Sequence, residues 1–336
     1  MRITIRDVAR EAGVSVATVS RVLNRSGPVH ERTRLRILEV AERLRYVPDS
    51  AARSLITRRT GTLGVLLPDL YGEFFSEVIR GVDGAAQARG YHLLVSSSHA
   101  NRSEVVAALR AMRGRVDGLV VMSPDIDAQG LHANLPESLP VVLLSCAVSG
   151  SAYDALNIDN FGGASAMVEH LLTLGHRRIA MIAGPARNHD ANERLRGYRA
   201  ALEAGGVEVR DEWVLPGDFT ESGGHAAAGR FLELDPRPTA LFAANDSMAI
   251  GAVSRLREAG LVVPDDVAVA GFDDIPIAAY VSPPLSSVQV AIAELGSRSV
   301  ELLVEAIEEK NRHVRRQEVL PTRLVIRASC GAARSG

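Results

Sequence analysis

The segment that most constrains this chain lies near its amino terminus, where residues 15–24 read SVATVSRVLN. Just upstream, Ala9 provides a small side chain where two helix backbones can approach closely, and Gly13 suits a turn that needs a positive φ. Val19 and Val22 then recur at helical spacing. This pattern predicts two short helices that meet across a tight turn, as in a helix-turn-helix.

Both predicted helix starts carry capping signals. Thr4 stands three residues before Asp7, which is the capping-box spacing, and Ser15 can cap the second helix through its hydroxyl. A third amphipathic helix is predicted over residues 30–44, and Pro48 follows it because the residue before a proline disfavours helical backbone. A small three-helix head is therefore expected, although a solvated helical hairpin would give the same local signals.

The charge of the chain favours a nucleic-acid role for this head. Residues 1–60 contain 13 Arg, no Lys and 6 acidic residues, which is a net charge of +7. Because the whole chain carries −2, the other 276 residues carry −9. A basic head on an acidic body is typical of a DNA-reading module joined to a part that does not touch DNA. The polar residues of the second helix fall away from the valine seam, and Arg21 is the best candidate for a base contact.

From Gly61 onward, short apolar runs alternate with longer amphipathic stretches. The runs fall into two sets of four. Those of the first set begin at Leu63, Tyr91, Asp117 and Pro140, and those of the second begin at Arg177, Trp213, Thr239 and Val267. Such alternation predicts parallel βαβ units. The expected fold class is α/β, with an N-terminal all-α helix-turn-helix head and a two-lobed body built from doubly wound parallel sheets.

Polar residues follow several predicted strands, at the carboxyl ends where open α/β sheets bind ligands. These residues are Asp69, Asp159, Asn245, Asp246, Asp273 and Asp274. Asp246 directly precedes a helical pattern and is assigned to capping, which leaves Asn245 freer to face a ligand. At most one of Asp273 and Asp274 can face a cleft, because strand neighbours point to opposite sides. The pattern leaves open whether Phe74, Phe75 and Arg194 serve the core, the solvent or a ligand.

Several functional classes lack their sequence signals. There is no apolar run of about 20 residues and no signal-peptide pattern, so we expect a cytoplasmic protein without a membrane segment. Cys146 and Cys330 have no metal-ligand spacing, and neither a metal nor a cofactor is expected. The motifs GxGxxG, GxSxG and the P-loop do not occur, which argues against an enzyme.

Four motifs together resemble the lactose/galactose repressor family over almost the whole chain. They are TIRDVAREAGVSVATVSRVLN at 4–24, ARSL at 52–55, ANDSMAIG at 244–251 and GFDD at 271–274. The resemblance implies a bacterial transcription regulator, most often a repressor, with a periplasmic-binding-protein-like body. It also implies homodimers, with higher assemblies left open, that bind palindromic double-stranded operator DNA under the control of a small molecule, commonly a sugar.

The resemblance assigns DNA-binding roles by position. Val16 and Ala17 match residues that influence base choice, and Arg21 matches one that often reads a guanine. The phosphate-contacting or supporting positions are Thr4, Ser15, Thr18, Ser20, Asn24, Thr33 and Tyr46. The DSAARSL stretch matches a hinge helix that forms on the operator, with Ala52 and Leu55 in the minor groove and Leu55 as the intercalating wedge.

The resemblance also assigns an effector site. The matching positions are Phe74, Phe75, Asp159, Asn188, Asp190, Arg194, Phe219, Asn245 and Asp273. Such a set suits a polyol, since aromatic rings cover its C–H surface while a guanidinium and carboxylates bind its hydroxyls. Departures from the family pattern are His30 at a cap position, Val290 where a glutamine is common, and Cys146 where an acidic residue is more frequent.

The implied domains are a head, a hinge and a two-lobed effector-binding and dimerisation body. Their boundaries are 1–48, 49–60 and 61–336, with the N lobe at about 61–160 and 291–320 and the C lobe at about 161–290 and 321–330. The main alternative is a periplasmic-type sugar-binding protein without a DNA role. It explains the effector positions equally well, but it needs an export signal and has no use for an Arg-rich head.

Overall fold

A computed structural model describes residues 3–23, 27–46, 59–99, 101–123, 128–136, 138–146, 153–309 and 312–331. The chain forms two compact units, Met1–Thr60 and Gly61–Gly336, which are described separately. Three residues with predicted DNA contacts, Asn24, Ala52 and Leu55, lie outside the described residues, as does the whole of the predicted hinge helix.

The first unit contains the predicted three helices. They are α1 (Ile5–Glu11), α2 (Val16–Leu23) and α3 (Glu31–Arg43). Val8, Val19 and Ile37 are fully buried between them, and Gly13 takes a φ of 60° in the turn. The helix-turn-helix is thus confirmed, because one small apolar core and one left-handed turn residue fix how α1 and α2 meet.

The caps of these helices follow the sequence signals. The Thr4 N–H donates to Asp7 Oδ2 at 3.0 Å, and Ser15 Oγ accepts a hydrogen bond from the Thr18 N–H at 3.1 Å. His30 precedes α3 without a side-chain capping bond, as its departure from the family pattern predicts. The first two helices are therefore capped at their starts, whereas α3 depends on packing.

The second unit contains two six-stranded sheets within the described ranges. The first sheet has the order β11-β5-β4-β3-β1-β2, and the second has the order β12-β10-β9-β8-β6-β7. The strands of the first sheet are β1 (Thr62–Leu67), β2 (His92–Ser97), β3 (Gly118–Val121), β4 (Val141–Leu144), β5 (Asp154–Ile158) and β11 (Gln317–Leu320). Those of the second are β6 (Ile179–Ala183), β7 (Val214–Pro216), β8 (Ala240–Ala243), β9 (Ala268–Asp273), β10 (Ser286–Gln289) and β12 (Arg323–Val325).

The strands pair in parallel except for β12, which runs antiparallel to β10. The helices of this unit are α4 (Glu73–Ala88), α5 (Arg102–Met112), α6 (Ala128–Asn134), α7 (Asn160–Thr173), α8 (His189–Ala204), α9 (Glu221–Leu232), α10 (Asp246–Glu258) and α11 (Ile292–Glu309). The predicted α/β class with two parallel-sheet lobes is confirmed. No helix in the described part of the chain is long and apolar enough to span a bilayer.

The chain crosses between the two sheets where β5 ends, where β10 ends, and between β11 and β12. Two of these crossings lie side by side, because the Asp159 N–H donates to the Leu320 carbonyl at 3.0 Å and the Thr322 hydroxyl donates to the Asp159 carbonyl at 3.5 Å. The Asp159 side chain turns back to cap α7, accepting a hydrogen bond from the Gly162 N–H at 2.8 Å. Asp159 is therefore part of the connection between the lobes.

Two glycines let α4 and α11 approach closely in the first lobe. A Cβ atom at Gly81 would overlap the Ala293 carbonyl oxygen, and one at Gly296 would overlap the Val78 carbonyl oxygen. These neighbours are backbone atoms, which cannot move aside as a flexible side chain can. The packing of α11 against α4 therefore depends on the absence of side chains at both positions.

We expect Gly81→Ala to lower the free energy of unfolding by about 1–3 kcal/mol, because the added methyl group forces α4 and α11 apart. Gly84→Ala is the matched control, since a Cβ atom there meets nothing within 4 Å. That control should be neutral or stabilising by up to about 1 kcal/mol, as alanine favours helix more than glycine. Urea unfolding of the two variants measures both effects, and equal stabilities would contradict the close approach.

Candidate functional site

A cavity of about 420 Å³ lies among segments that follow the carboxyl ends of strands from both sheets. The first lobe contributes residues after β1, β2, β3 and β4, and the second contributes residues after β6, β7, β8 and β9. Its size suits a small organic ligand. The position agrees with the general rule that open α/β sheets bind ligands at these ends.

The structure brings eight of the nine predicted effector residues to this cavity. They are Phe74, Phe75, Asn188, Asp190, Arg194, Phe219, Asn245 and Asp273. Asp159 is not among the lining residues, because its carboxylate caps α7 at the lobe crossing. Its effector role follows from the family resemblance, whereas its observed contact is that of a helix cap.

Arg194 lies at the centre of the polar part of the cavity lining. Its side chain is only 4% exposed, and its Nη2 atom lies 3.1 Å from Asp273 Oδ1 in an ion pair. The Nε atom donates to Asn160 Oδ1 at 2.8 Å, and Nη1 donates to the Ala244 carbonyl at 2.5 Å. The guanidinium also stacks 3.8 Å from the ring centroid of Phe272. A buried cation needs such compensation, and these contacts fix its orientation.

Two carboxylates flank this guanidinium. Burial raises the pKa of Asp273 to about 6, with Arg194 acting against the rise and Asp190 adding to it. Burial also raises the pKa of Asp190, again against the effect of Arg194. Both Asp273 and Asp274 have positive φ, at 104° and 54°, yet only Asp273 lines the cavity, as strand alternation predicts. Asp274 instead pairs with Arg327 at 2.7 Å.

Apolar side chains form another part of the cavity. Phe74 and Phe75 meet edge to face, with ring centroids 5.5 Å apart, at the start of α4. Phe219 contributes a third ring from the segment after β7, where its φ is 70°. Met122 and Ile275 complete this surface. Rings beside hydrogen-bonding groups suit a ligand with C–H faces and hydroxyl edges.

The assignment of Asp246 to helix capping is wrong. Asn245 caps α10, since its Oδ1 atom accepts from the Met248 N–H at 3.0 Å while its Nδ2 atom donates to the Phe219 carbonyl at 3.0 Å. Asp246 is instead fully buried and accepts from the Ile275 N–H at 2.9 Å and the Ser287 hydroxyl at 2.6 Å. Asp246 therefore holds the turn that places Asp273 at the cavity.

Several lining residues carry no prediction from the sequence. They include Glu73, His99, Met122, Ser145, Arg187, Asp218, Glu221 and Ser247. Most follow a predicted strand, which is the one signal that could have found them. Glu73 also joins the lobes, because its Oε2 atom accepts a hydrogen bond from the Ile277 N–H at 2.9 Å.

The head places its predicted DNA residues on and around α2. Val16, Ala17 and Arg21 are exposed, and Val16 is 42% exposed. Thr18 and Ser20 are partly buried in the same helix, with Thr18 Oγ1 lying 2.8 Å from Ser15 Oγ. Thr4 is exposed before α1, Thr33 lies in the first turn of α3, and Tyr46 packs against the head core.

The helix-turn-helix head and the two-sheet body with its cavity define a class of DNA-binding transcription regulators controlled by small molecules. Comparisons with known families agree with this class. Residues 4–49 match the profile described as bacterial regulatory proteins of the lacI family, and residues 168–330 match a periplasmic binding protein-like domain.

Relatives match almost the whole chain. The HTH-type transcriptional repressor PurR of Photobacterium profundum is 36% identical over 328 residues, covering 97% of this chain and 98% of the relative. Catabolite control protein A of Priestia megaterium is 35% identical over 314 residues, covering 92% and 94%. The chain therefore belongs to the lacI family, and it is a DNA-binding transcription regulator. The relatives are named as regulators and not as enzymes.

Solved structures show the same fold. A complex of the transcriptional regulator CelR with cellobiose is 34% identical, with a TM-score of 0.73, and the match covers 98% of this chain and 100% of that chain. The Lac repressor dimer bound to operator and the anti-inducer ONPF is 28% identical, with a TM-score of 0.88, covering 98% and 99%.

We expect Asp246→Ala to lower the free energy of unfolding by about 1–3 kcal/mol, because the Ile275 N–H and the Ser287 hydroxyl lose a buried acceptor. Asp246→Asn should lower the free energy of unfolding less than Asp246→Ala does. The asparagine oxygen can still accept from the Ile275 N–H, and the asparagine amide can donate to the Ser287 hydroxyl. Ser247→Ala, at the next position of α10, removes only a partly buried bond to Glu221 and serves as the control. Denaturant unfolding ranks the three variants, and an Asp246→Ala protein as stable as the control would contradict the assignment.

Proposed function

We propose that this protein binds a palindromic operator as a homodimer and that a sugar or related polar metabolite in the cavity controls its DNA affinity, most simply as a repressor. The observation that carries this proposal is the cavity, which is lined by strand ends from both lobes and joins a buried guanidinium to three aromatic rings. The basic head supplies the DNA-binding half of the function.

On the DNA side, α2 supports the assignment of a recognition helix. Its exposed leading residues Val16 and Ala17 offer methyl groups but no side-chain hydrogen bonds, so they can contact thymine methyl groups only. The guanidinium of Arg21 can form two hydrogen bonds to one guanine. Arg21 therefore carries most of the hydrogen-bond discrimination that we assign to α2.

On the effector side, a ligand in the cavity touches both lobes. Its affinity therefore depends on how the lobes are arranged, and it changes DNA affinity only if it binds two arrangements unequally. The Glu73 to Ile277 hydrogen bond joins the lobes beside the cavity, and we expect it to break when the lobes move apart. A sugar is supported by the aromatic and polar lining and by a related regulator, CelR, whose structure contains cellobiose.

We expect Arg21→Ala to weaken binding to the preferred site about tenfold or more, the equivalent of losing one bidentate base contact, and to weaken binding to scrambled DNA much less. The preferred site is first selected from random oligonucleotides with the full-length protein, and an inverted repeat is the expected product. Arg34→Ala removes the same charge from α3, where Arg34 pairs with Glu31 on the surface, and is the matched control. Equal losses on both DNAs for Arg21→Ala would contradict base readout.

We expect Asp273→Asn to weaken sugar binding at least tenfold while leaving DNA binding in place, because a neutral amide accepts weaker hydrogen bonds than a carboxylate. Asp274→Asn is the neighbouring control, since Asp274 faces Arg327 and not the cavity. Calorimetric titration of the full-length protein with cellobiose, galactose, ribose and glucose measures the affinities. Wild-type protein that binds none of these sugars would contradict a sugar effector, and equal effects of the two substitutions would contradict the placement of Asp273.

A further inference from the structure

The cavity is surrounded by helix starts that each carry an acidic residue of the chain. Four helices, α4, α8, α9 and α10, begin at or beside the lining residues. The acidic residues in their first turns are Glu73, Asp190, Glu221 and Asp246. A helix N-terminus attracts anions through its dipole and its free N–H groups. Here the chain itself places an acidic side chain at each of the four, and burial raises the pKa of Asp190 and Asp246.

The N–H groups at three of these helix starts are also engaged. Asn188 accepts from the Ala191 N–H at 2.9 Å, Thr220 accepts from the Gly223 N–H at 3.0 Å, and Asn245 accepts from the Met248 N–H at 3.0 Å. An incoming phosphate or carboxylate would have to displace these caps. These three helix starts are therefore poor anion sites, although each lies at the cavity. The fourth helix, α4, begins after Gly72 without a side-chain cap.

Most of the charged side chains that line the cavity are acidic. The carboxylates among the described lining residues are Asp69, Glu73, Asp190, Asp218, Glu221 and Asp273. The lining guanidinium groups belong to Arg187 and Arg194. Arg187 is exposed, as are Asp69 and Asp218, so solvent screens these three charges. Arg194 donates hydrogen bonds to Asn160 and to the Ala244 carbonyl, and its ion pair with Asp273 balances its charge. An anionic ligand would therefore meet more carboxylates than cations, and a buried guanidinium that is already neutralised.

Two buried polar groups at the cavity have unused hydrogen-bonding capacity. The Ser145 hydroxyl is buried at the cavity and has no partner at full hydrogen-bond geometry among the described residues, although it lies near enough to Asp190 to lower the pKa of that carboxyl. Asp273 Oδ1 forms the ion pair with Arg194 but has no hydrogen-bond partner among the described residues. Cys146, where the family more often has an acidic residue, adds no charge, because burial raises the pKa of its thiol to about 12. Within the described residues, the Ser145 hydroxyl and Asp273 Oδ1 thus remain available for hydrogen bonds with ligand hydroxyl or ammonium groups.

We propose that the cavity selects an uncharged polyhydroxylated ligand, or one that carries an amine, and excludes phosphorylated and carboxylate-bearing sugars. This inference rests on the proposed function of the cavity as a sugar site and narrows its ligand class. The ligand hydroxyls donate to Asp273 and exchange hydrogen bonds with Ser145, while its C–H surface lies on the rings of Phe74, Phe75 and Phe219.

Matched ligand pairs test the inference on full-length wild-type protein. The pairs are glucose with glucose 6-phosphate, ribose with ribose 5-phosphate, galactose with galacturonate, and cellobiose with cellobionate, and glucosamine is added as the cationic member. Calorimetric titration at about pH 7.5, above the raised pKa of Asp273, gives each Kd. In any pair that shows binding, we expect the neutral sugar to bind at least tenfold more tightly than the anionic sugar. An anionic member that binds as tightly or more tightly overturns the inference but leaves a sugar effector in place.

A charge-removing variant tests the physical cause. Asp218→Asn combined with Glu221→Gln keeps the acceptors for Thr220 and Ser247 but removes two negative charges from the cavity. We expect the Kd for the anionic member to fall at least fivefold. Asp211→Asn combined with Glu258→Gln removes the same charge outside the cavity and should leave that Kd within twofold. Equal changes in the two double variants would overturn the proposed cause, whereas failure of every sugar, neutral or anionic, would contradict the sugar effector itself.

Discussion

The burial of one guanidinium organises the ligand-binding unit. Arg194 extends from α8, and a charge with so little exposure is stable only where several acceptors surround it. Its partners come from the start of α7, the segment after β8 and the end of β9, so one side chain ties together three separate parts of the second lobe. This requirement sets the position of Asp273 and therefore the polar part of the cavity lining.

Much of the fold could be predicted because most of its strands coincide with apolar runs in the sequence. β1, β3 and β8 are buried along nearly their whole length, and such runs mark parallel strands covered on both faces. The strands β5, β10, β11 and β12 are not predicted from the sequence. In β5, which reads DALNI, Asp154 and Asn157 interrupt the apolar run. The last three strands read SSVQ, QEVL and RLV, which lack an apolar run because serines bond to neighbouring backbone in β10 and because β11 and β12 are exposed edges.

The candidate site was predictable only in part, because local rules and tertiary contacts compete at the same residues. A carboxylate before a helical pattern is typical of a cap, yet at residues 245 and 246 the amide caps α10 and the carboxylate binds a backbone N–H from a later segment. Asp159 shows the converse, since its family position implies a ligand contact but its side chain caps α7. Ser145 carries no sequence signal beyond its place after an apolar run, and only the packed lobes reveal its burial.

The last two strands make the stability of each lobe depend on the same short segment. After α11, the chain adds β11 to the edge of the first sheet and then, after two residues, β12 to the edge of the second. Cleavage of the backbone between α11 and β11 would release one peptide that contains an edge strand of each sheet. If that peptide dissociated, both sheets would lose an edge strand at once. A protease that cuts there would therefore damage the two lobes together, although the rest of each lobe would remain covalently intact.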